Sequence, residues 1–234
     1  LVMRNRIIAS PMCQYLSVDG APNDWQLMHL GRLAIGGCGI VFGEETAVEP
    51  DGRKTHNCAG LYKQSHVASY RKITDMIRSN GALPAIQLGH SGRKGSCHDA
   101  MRDWRALNNS DAENDLPPWQ VMTPTAALSP PRPIPHKEMD QDDINRVVDD
   151  FRTATKRSID AGYDIVEVHG AHGYLIHQFL SATSNQRKDN YGGSLANRMR
   201  FAVEVAAAVR EVWPKERPVF FRLSAVDGKG GSWT

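Results

Sequence analysis

The chain has 234 residues, 41% of them hydrophobic and 23% charged, which is ordinary composition for one globular domain with a single large core. A formal net charge of +2, from acidic and basic residues mixed along the chain, gives no basic face for nucleic acid and favours a small-molecule partner. Four separate cysteines without a C-x-x-C pair argue against disulfides and a zinc ribbon, and no apolar run is long enough to cross a membrane, so a cytoplasmic protein is expected.

Short apolar runs rich in β-branched residues alternate with longer segments of helical periodicity. The five predicted strands are RIIAS (6–10), GIVFGEE (39–45), LPAIQLG (83–89), DIVEVHG (164–170) and PVFFRLS (218–224). Each run is continuously apolar rather than alternating, as in parallel strands that are covered on both faces. This order predicts βα units around a parallel sheet.

Four helices are predicted between these strands, at 24–35, 64–79, 141–161 and 195–213. The strongest is 141–161, whose apolar residues recur at i, i+3, i+4 and i+7 between a capping Asp140 and a terminating Gly162. The periodicity is lost over 90–139, a polar segment that carries Trp104 and Trp119. We expect this segment to pack as a cap or lid over a site, the alternative being a disordered linker.

The first strand helps to choose between an open doubly wound sheet and a closed barrel. Its sequence, IIASPMC, lacks the glycine-rich phosphate turn of the doubly wound dinucleotide-binding fold, so a (β/α)8 TIM barrel is favoured. A full barrel has eight strands and about 250 residues, whereas this chain supplies five strands. We therefore expect residues 1–234 to form one incomplete TIM-barrel domain, with the remaining βα units missing or its edges covered by another molecule.

Polar residues follow the predicted strands, at the end of a parallel barrel where active sites lie. They are Ser10, Pro11, Met12, Cys13, Glu44, Glu45, Gln87, His90, His169, His172 and Arg222. Each has an ordinary structural explanation on its own; Cys13, for example, could be a small buried hydrophobe. Their origin in five separate segments favours one shared functional site.

The stretch HGAHGYLIHQFLS narrows the chemistry, because His169 and His172 are followed at once by Tyr174. Two imidazoles can donate to one oxygen and polarise a carbonyl, and a phenol can supply a proton. A metal site is less favoured, since H-x-x-H without a neighbouring carboxylate lacks ligands for zinc. A Cys13 thiolate nucleophile stays open without specific support. None of these side chains carries a hydride, so a redox role requires a cofactor.

Several segments resemble one known family over essentially the whole chain. They are NRIIASPMCQY, AVEPDGR, IQLGHSGRK, FFRLSAVD and the long run VEVHGAHGYLIHQFLSATSNQRKDNYGGSLANRMRF. They are similar to the Old Yellow Enzyme family of FMN-dependent ene-reductases, in particular its cysteine-containing, thermophilic-like branch. The resemblance implies a TIM barrel with FMN at its carboxyl face. It also implies ping-pong reduction of the C=C bond of α,β-unsaturated carbonyl compounds by NADPH or NADH.

The resemblance assigns the cofactor residues. Ser10, Pro11, Met12 and Cys13 would line the flavin, with the Cys13 thiol tuning its potential and contacting substrate. Gln87 would bind the pyrimidine edge and Arg222 would stabilise the negative charge of the reduced ring. Glu45 would lie where the family uses a small residue with a backbone N–H towards the flavin. A carboxylate there would lower the redox potential, so its side chain is expected to turn away.

The substrate residues follow in the same way. His169 and His172, with Gly170 and Ala171 between them, would hold the substrate carbonyl oxygen. Tyr174 would protonate the α-carbon and Tyr15 would close the pocket. Arg93, Lys94 and the segment 90–139 match the family's active-site loop and capping region. The run SNQRKDNYGGSLANR is interpreted as architectural. The family's strands six to eight, with its FMN phosphate site, find no match in this chain.

Three other interpretations stay open. A 2,4-dienoyl-CoA reductase-like flavin oxidoreductase shares the barrel and much of the region around His169. A barrel fragment without catalytic activity would bind little flavin, and a metal-dependent hydrolase would not need flavin. An enone or enal substrate and a homo-oligomeric assembly are the remaining expectations.

Overall fold

Seven strands and five α-helices form the regular structure of residues 1–129, 131–228 and 233, the part of the chain described by this computed structural model. The strands are β1 (Ile8–Ala9), β2 (Ile40–Ala47), β3 (Leu83–Gly89), β4 (Met122–Thr123), β5 (Lys137–Glu138), β6 (Ile165–Gly170) and β7 (Val219–Leu223). The helices are α1 (Asp24–Ile35), α2 (Val67–Ser79), α3 (Gln141–Asp160), α4 (Leu175–Leu180) and α5 (Leu195–Val212). The described residues do not include Pro130, residues 229–232 and Thr234. All of these belong to the expected domain, and Pro130 belongs to the expected cap as well.

Five of the strands form one parallel sheet in the order β1-β2-β3-β6-β7. The predicted βα order and parallel sheet are therefore confirmed. All four predicted helices are present. The helix predicted at 64–79 begins as a 3₁₀ turn at Gln64–His66 and continues as α2. The first strand is shorter than predicted, because only Ile8 and Ala9 pair with β2. Helix α4 was not predicted, since its six residues are too few for a periodic pattern.

The sheet is curled as part of a barrel. The rings of Phe42 on β2 and Phe220 on β7 lie 6.0 Å apart, although β3 and β6 separate these strands. In a flat sheet three strand spacings would hold them about 14 Å apart. The two rings meet Ile40, Ala85 and Ile165 in an apolar layer inside the curl. The chain thus forms the first part of a (β/α)8 barrel, as expected.

Helix α3 shows how the outer layer is built. Its apolar face, including Ile144 and Phe151, is fully buried in the cluster that also contains Val166 of β6. At its start the Asp140 side chain accepts from the backbone N–H of Asp143 at 2.9 Å, and the Asp143 carboxylate accepts from the Asp140 N–H at 3.2 Å. The predicted cap is therefore part of a capping box, which fixes where α3 begins.

The segment 90–139 is packed rather than detached. Its two short strands, β4 and β5, pair in parallel. The Trp119 indole donates to the carbonyl of Asp51 at 3.1 Å, and the Trp104 ring lies edge-on to Tyr15 at 5.1 Å. Both tryptophans therefore contact segments that follow strands of the barrel. A function as a lid stays a prediction.

We predict that Asp140→Ala lowers the free energy of unfolding by about 1 kcal/mol, because it removes the hydrogen bond that caps α3. Urea unfolding followed by circular dichroism measures the change. Asp142→Ala is the control, since Asp142 lies in the same first turn, near the same end of the helix dipole, and is not part of the capping box. An equal loss in both variants would contradict the capping role.

Candidate functional site

The register of the sheet places the predicted residues at two levels of the barrel mouth. Glu45 of β2 is opposite Gln87 of β3, which is opposite Glu167 of β6. Two residues further along, His169 of β6 is opposite Arg222 of β7. Alternate residues of a strand face the same side, so these side chains rise from one face of the curled sheet.

The segment after β1 is held by Glu44. One carboxylate oxygen accepts from the backbone N–H of Gln14 at 2.9 Å, and the other from the side chain of Gln26 at 3.3 Å. Gln26 belongs to the capping box of α1, so strand, helix and loop are joined through one buried carboxylate. Glu44 is therefore a positioning residue, which fixes Cys13 beside the end of β2.

Cys13 and Tyr15 lie together in this segment, where the side chain of Tyr15 reaches the thiol. Burial, reinforced by the Glu45 carboxyl, raises the pKa of Cys13 well above its usual value. The thiol therefore stays protonated, which speaks against a thiolate nucleophile. Tyr15 has a left-handed backbone (φ 56°), a strained conformation that is common at functional sites. Ser10 and Met12 are exposed and Pro11 is half-buried.

Gln87 is buried, and its amide donates to Glu167 at 2.6 Å. Burial raises the pKa of Glu167, against the opposing effects of Gln87 and of the half-buried Arg222. An amide, a carboxyl and a guanidinium thus stand side by side at the mouth. Sequence reasoning missed Glu167, although its position two residues before His169 puts it on the same strand face.

His169, His172 and Tyr174 form a cluster of rings. The His169 ring lies 4.9 Å from each of the other two, and both contacts are edge-on. Burial lowers the pKa of His169 to about 3, with His172 and Arg222 adding to the effect. Its Nδ1 is buried and has no hydrogen-bond partner among the described residues. Burial also raises the pKa of the Tyr174 phenol. Near neutral pH the cluster therefore holds a neutral imidazole and a protonated phenol.

The turn that carries these rings has a demanding backbone. His172 adopts a left-handed conformation (φ 59°) and its N–H donates to Ser224 Oγ at 3.0 Å. A Cβ on Gly170 would lie 2.3 Å from the ring of Phe221, so glycine is required there. Ala171 is fully buried. The two residues between the histidines thus shape the turn.

Gln178 and Lys94 join this turn to the loop after β3. The Gln178 amide donates to the Gly173 carbonyl at 2.8 Å and its oxygen accepts from the Arg93 N–H at 3.3 Å. Lys94 Nζ donates to the His172 carbonyl at 2.6 Å. Gln178 was not among the predicted site residues; its only sequence signal is its place four residues after Tyr174, one helical turn along α4.

His90 differs from the other polar strand-end residues, because it is a structural residue. It is 1% exposed, and its Nδ1 accepts from the Gly92 N–H at 3.0 Å while its Nε2 lies 2.8 Å from the Glu49 carboxylate. Both ring nitrogens are therefore engaged. Glu49 is also paired with Arg146 of α3. This series of contacts, from His90 through Glu49 to Arg146, anchors the loop that carries Arg93 and Lys94.

The architectural interpretation of SNQRKDNYGGSLANR agrees with its contacts. Asn185 donates to the carbonyls of Phe179 and Tyr191, both at 2.7 Å. Arg187 reaches the Met139 carbonyl at 2.6 Å, which ties this loop to the end of the segment 90–139. These residues hold backbone together and lie away from the ring cluster.

The Glu45 carboxyl lies in the interior of the protein. That it turns away from a bound flavin stays a prediction. Glu45 is 2% exposed, and neither carboxyl oxygen has a hydrogen-bond partner among the described residues. A Cβ on Gly89 would lie 2.4 Å from its Oε1, so the carboxyl fills the space that glycine leaves at the end of β3. Its charge also raises the pKa of Cys13 and of Tyr174, in each case after the larger effect of burial.

The described residues contain no cluster of three or more potential ligands for a metal ion. The same part of the chain has no helix with the length and apolar character needed to cross a membrane.

Comparisons with known proteins agree with this geometry. A family model described as the NADH:flavin oxidoreductase / NADH oxidase family matches residues 1–232. The chain is 39% identical over 233 residues to the NADPH dehydrogenase of Clostridium acetobutylicum, an alignment that covers 99% of this chain and 63% of the relative.

Two solved structures are similar. Old Yellow Enzyme from Pichia sp. AKU4542 superposes with a TM-score of 0.81 at 27% identity, covering 94% of this chain and 56% of that one. A 2-naphthoyl-CoA reductase in complex with 2-naphthoyl-CoA gives a TM-score of 0.80 at 28% identity, covering 94% and 33%. The chain therefore spans less than two thirds of the length of these relatives.

We predict that Glu45 makes the stability of the protein fall between pH 5 and pH 8. Burial, with Glu44 nearby and Lys54 opposing, raises the pKa of Glu45 to about 8, against 4.5 for a free side chain. The folded state thus keeps a proton that the unfolded chain releases above pH 4.5, and the stability contributed by the protonated group is lost as pH rises towards 8.

Glu45→Gln should remove this dependence, so the stability of wild type relative to the variant should fall by about 3 kcal/mol from pH 5 to pH 8. Urea unfolding at several pH values measures the difference. Cys58 and Tyr174 stay protonated over this range because burial raises the pKa of both. Glu113→Gln, at an exposed position, is the control; parallel curves for wild type and Glu45→Gln would contradict a buried neutral carboxyl.

Proposed function

Because this chain belongs to the NADH:flavin oxidoreductase / NADH oxidase family, we propose that it holds FMN and uses NADPH or NADH to reduce the C=C bond of α,β-unsaturated carbonyl compounds. One observation carries the proposal. The cluster of His169, His172 and Tyr174 stands at the same barrel mouth as Gln87 and Arg222. Donors for a carbonyl oxygen, a proton source and donors for an electron-rich ring are thereby brought together.

The residues present fit the ring of the cofactor. Gln87 uses one N–H on Glu167, which leaves its second N–H and its carbonyl oxygen for the hydrogen-bonding edge of a flavin. Arg222 brings a permanent cation to the same level as His169. Ser10, Pro11, Met12 and Cys13 would line the ring from the loop held by Glu44. When bound, FMN would take a hydride from the nicotinamide and pass it to the alkene.

His169 and His172 would bind the substrate through its carbonyl oxygen. A neutral imidazole has one N–H to donate, and two such donors aimed at one oxygen withdraw electrons from the conjugated alkene. The β-carbon then becomes the acceptor for hydride. Because the pKa of His169 is lowered to about 3, its protonation state should not change between pH 5 and pH 8.

Tyr174 would donate its phenolic proton to the α-carbon. Its side chain is 8% exposed, so the proton is kept from solvent, and its raised pKa keeps the phenol protonated until a strongly basic carbon forms. Tyr15 and Trp104, edge-on at 5.1 Å, would close the pocket from the side of the segment 90–139.

The cofactor and the reaction can be tested with the purified chain. We expect flavin absorbance that is bleached by NADPH without oxygen and restored by cyclohexenone. A protein that neither contains flavin nor takes up added FMN would sink the proposal and favour a fragment without catalytic activity.

A CoA thioester is the second candidate substrate class, favoured by the likeness to the 2-naphthoyl-CoA reductase. An unsaturated acyl thioester offers the same carbonyl and alkene to the ring cluster. Restoration of the flavin colour by an enoyl-CoA, but not by cyclohexenone, would select this candidate.

We predict that replacing His169 and His172 together by alanine slows alkene reduction by a factor of about 100 or more, because the carbonyl loses both donors. Stopped-flow absorbance of the NADPH-reduced enzyme mixed with cyclohexenone measures the rate. Flavin content, measured on the same sample, should stay unchanged. Unaltered turnover would remove the histidines from the mechanism.

Tyr174→Phe should slow the reaction of the reduced enzyme with the alkene by about tenfold or more, because the proton donor is lost. Reduction of the enzyme by NADPH should keep its rate, since that step needs no proton from Tyr174. Tyr163→Phe is the matched control, since the Tyr163 hydroxyl is buried in the hydrophobic core and has no hydrogen-bond partner in the described part of the chain. Equal slowing of both half-reactions by Tyr174→Phe would contradict the assignment.

A further inference from the structure

A cavity of about 530 Å³ lies near the ring cluster, between the segment 90–139 and the loop after β2. Its lining is strongly basic. The lining residues are Lys54, Arg93, Lys94, Cys97, Trp104, Ala106, Pro131, Arg132 and His136. Among the described residues no carboxylate lines it, so two lysines, two arginines and an imidazole line one open-sided cavity.

Most contacts of these cations go to neutral groups. Lys94 donates to the His172 carbonyl and Arg132 to the carbonyl of Arg93 at 3.0 Å. Lys54 lies over the Trp104 ring, 3.1 Å from its centroid. Arg93 is influenced by Asp227, which lines the neighbouring polar pocket rather than this cavity. The positive charge inside the cavity is therefore largely uncompensated.

Two further observations point to an anionic ligand. The Nε2 atom of His136 is buried and has no partner in the described structure. Burial also lowers the pKa of Lys54, Arg93, Lys94 and Arg132, in agreement with their position around a partly buried cavity. A bound anion would offset the cost of burying these cations.

Two lysines of the cavity lie near aromatic rings of the proposed site. Lys94 lies 5.8 Å from the centroid of the Tyr174 ring, and Lys54 lies at the same distance from that of Tyr15. A ligand whose reacting end lies between these tyrosines could therefore extend into the cavity.

We propose that this cavity binds the phosphate groups of a nucleotide-bearing reactant whose reacting end occupies the site of His172 and Tyr174, an inference that rests on the proposed function. Arginine and lysine are the usual partners of phosphate, and arginine can bind it through two parallel hydrogen bonds. Four cations exceed what one carboxylate requires, and they suit a group with several phosphate charges. The reductant NADPH and a CoA thioester both carry such an arm.

Isothermal titration calorimetry tests this binding without turnover. The probes are NADP⁺, NAD⁺ and coenzyme A, each titrated into wild type, Lys54→Gln, Arg93→Gln and the control Lys156→Gln, which changes an exposed lysine of α3. Each cavity variant should weaken binding of the phosphate-bearing probe about five- to tenfold, as expected for one lost charge-assisted contact, and the control should change it less than twofold. Arg132 is left unchanged, because its side chain holds backbone carbonyls.

The probes distinguish the source of the phosphate. Weaker NADP⁺ binding in the cavity variants, with NAD⁺ little affected, assigns the cavity to the reductant, and weaker coenzyme A binding assigns it to a thioester. If neither NADP⁺ nor coenzyme A binds more weakly to the cavity variants than to the Lys156→Gln control, the proposal is overturned.

Salt dependence of the wild-type protein provides a test that needs no variant. Affinity for the phosphate-bearing probe should fall steeply from low to high ionic strength, and an affinity independent of salt overturns the proposal. Flavin content of the same samples reports on the proposed function separately, since calorimetry requires no catalysis.

Discussion

The parallel register of β2, β3, β6 and β7 is the constraint on which the site depends. It puts Gln87 next to Glu167 and His169 next to Arg222, so that hydrogen-bonding groups from distant parts of the sequence share one surface. A shift of one residue in any strand would turn its polar side chain towards the helices and bring an apolar one into the mouth. The apolar layer around Phe42 and Phe220 opposes such a shift, because it fills the inside of the curl directly below.

Charge is distributed unevenly around this mouth. Buried acids, Glu44, Glu45 and Glu167, lie at the strand ends, and burial raises the pKa of all three. Cations lie above them on the loops, where Lys54 and Lys94 flank the two tyrosines. The protein thus presents neutral donors where a polarised carbonyl would be held and positive charge where a long anionic substituent could extend.

The order of strands, the four longer helices and most of the strand-end residues could be predicted from the sequence, because each depends on local periodicity or on capping groups such as Asp140. The partners of those residues could not. Glu44 acts by holding Gln14, and His90 acts through Glu49, contacts that depend on how separate loops fold together. The space that the Glu45 side chain occupies could not be predicted for a similar reason, since it is created by Gly89, 44 positions away in the chain.

The close approach of Glu45 to Gly89 also constrains how this protein can diverge. A side chain at position 89 would have to occupy the volume of the Glu45 carboxyl, so the two positions are coupled even though neither is near the other in sequence. If Glu45 is replaced by a small residue before Gly89 changes, the intermediate protein has room for the new side chain. If Gly89 changes first, its side chain collides with the Glu45 carboxyl. Glutamate at position 45 therefore favours glycine at position 89.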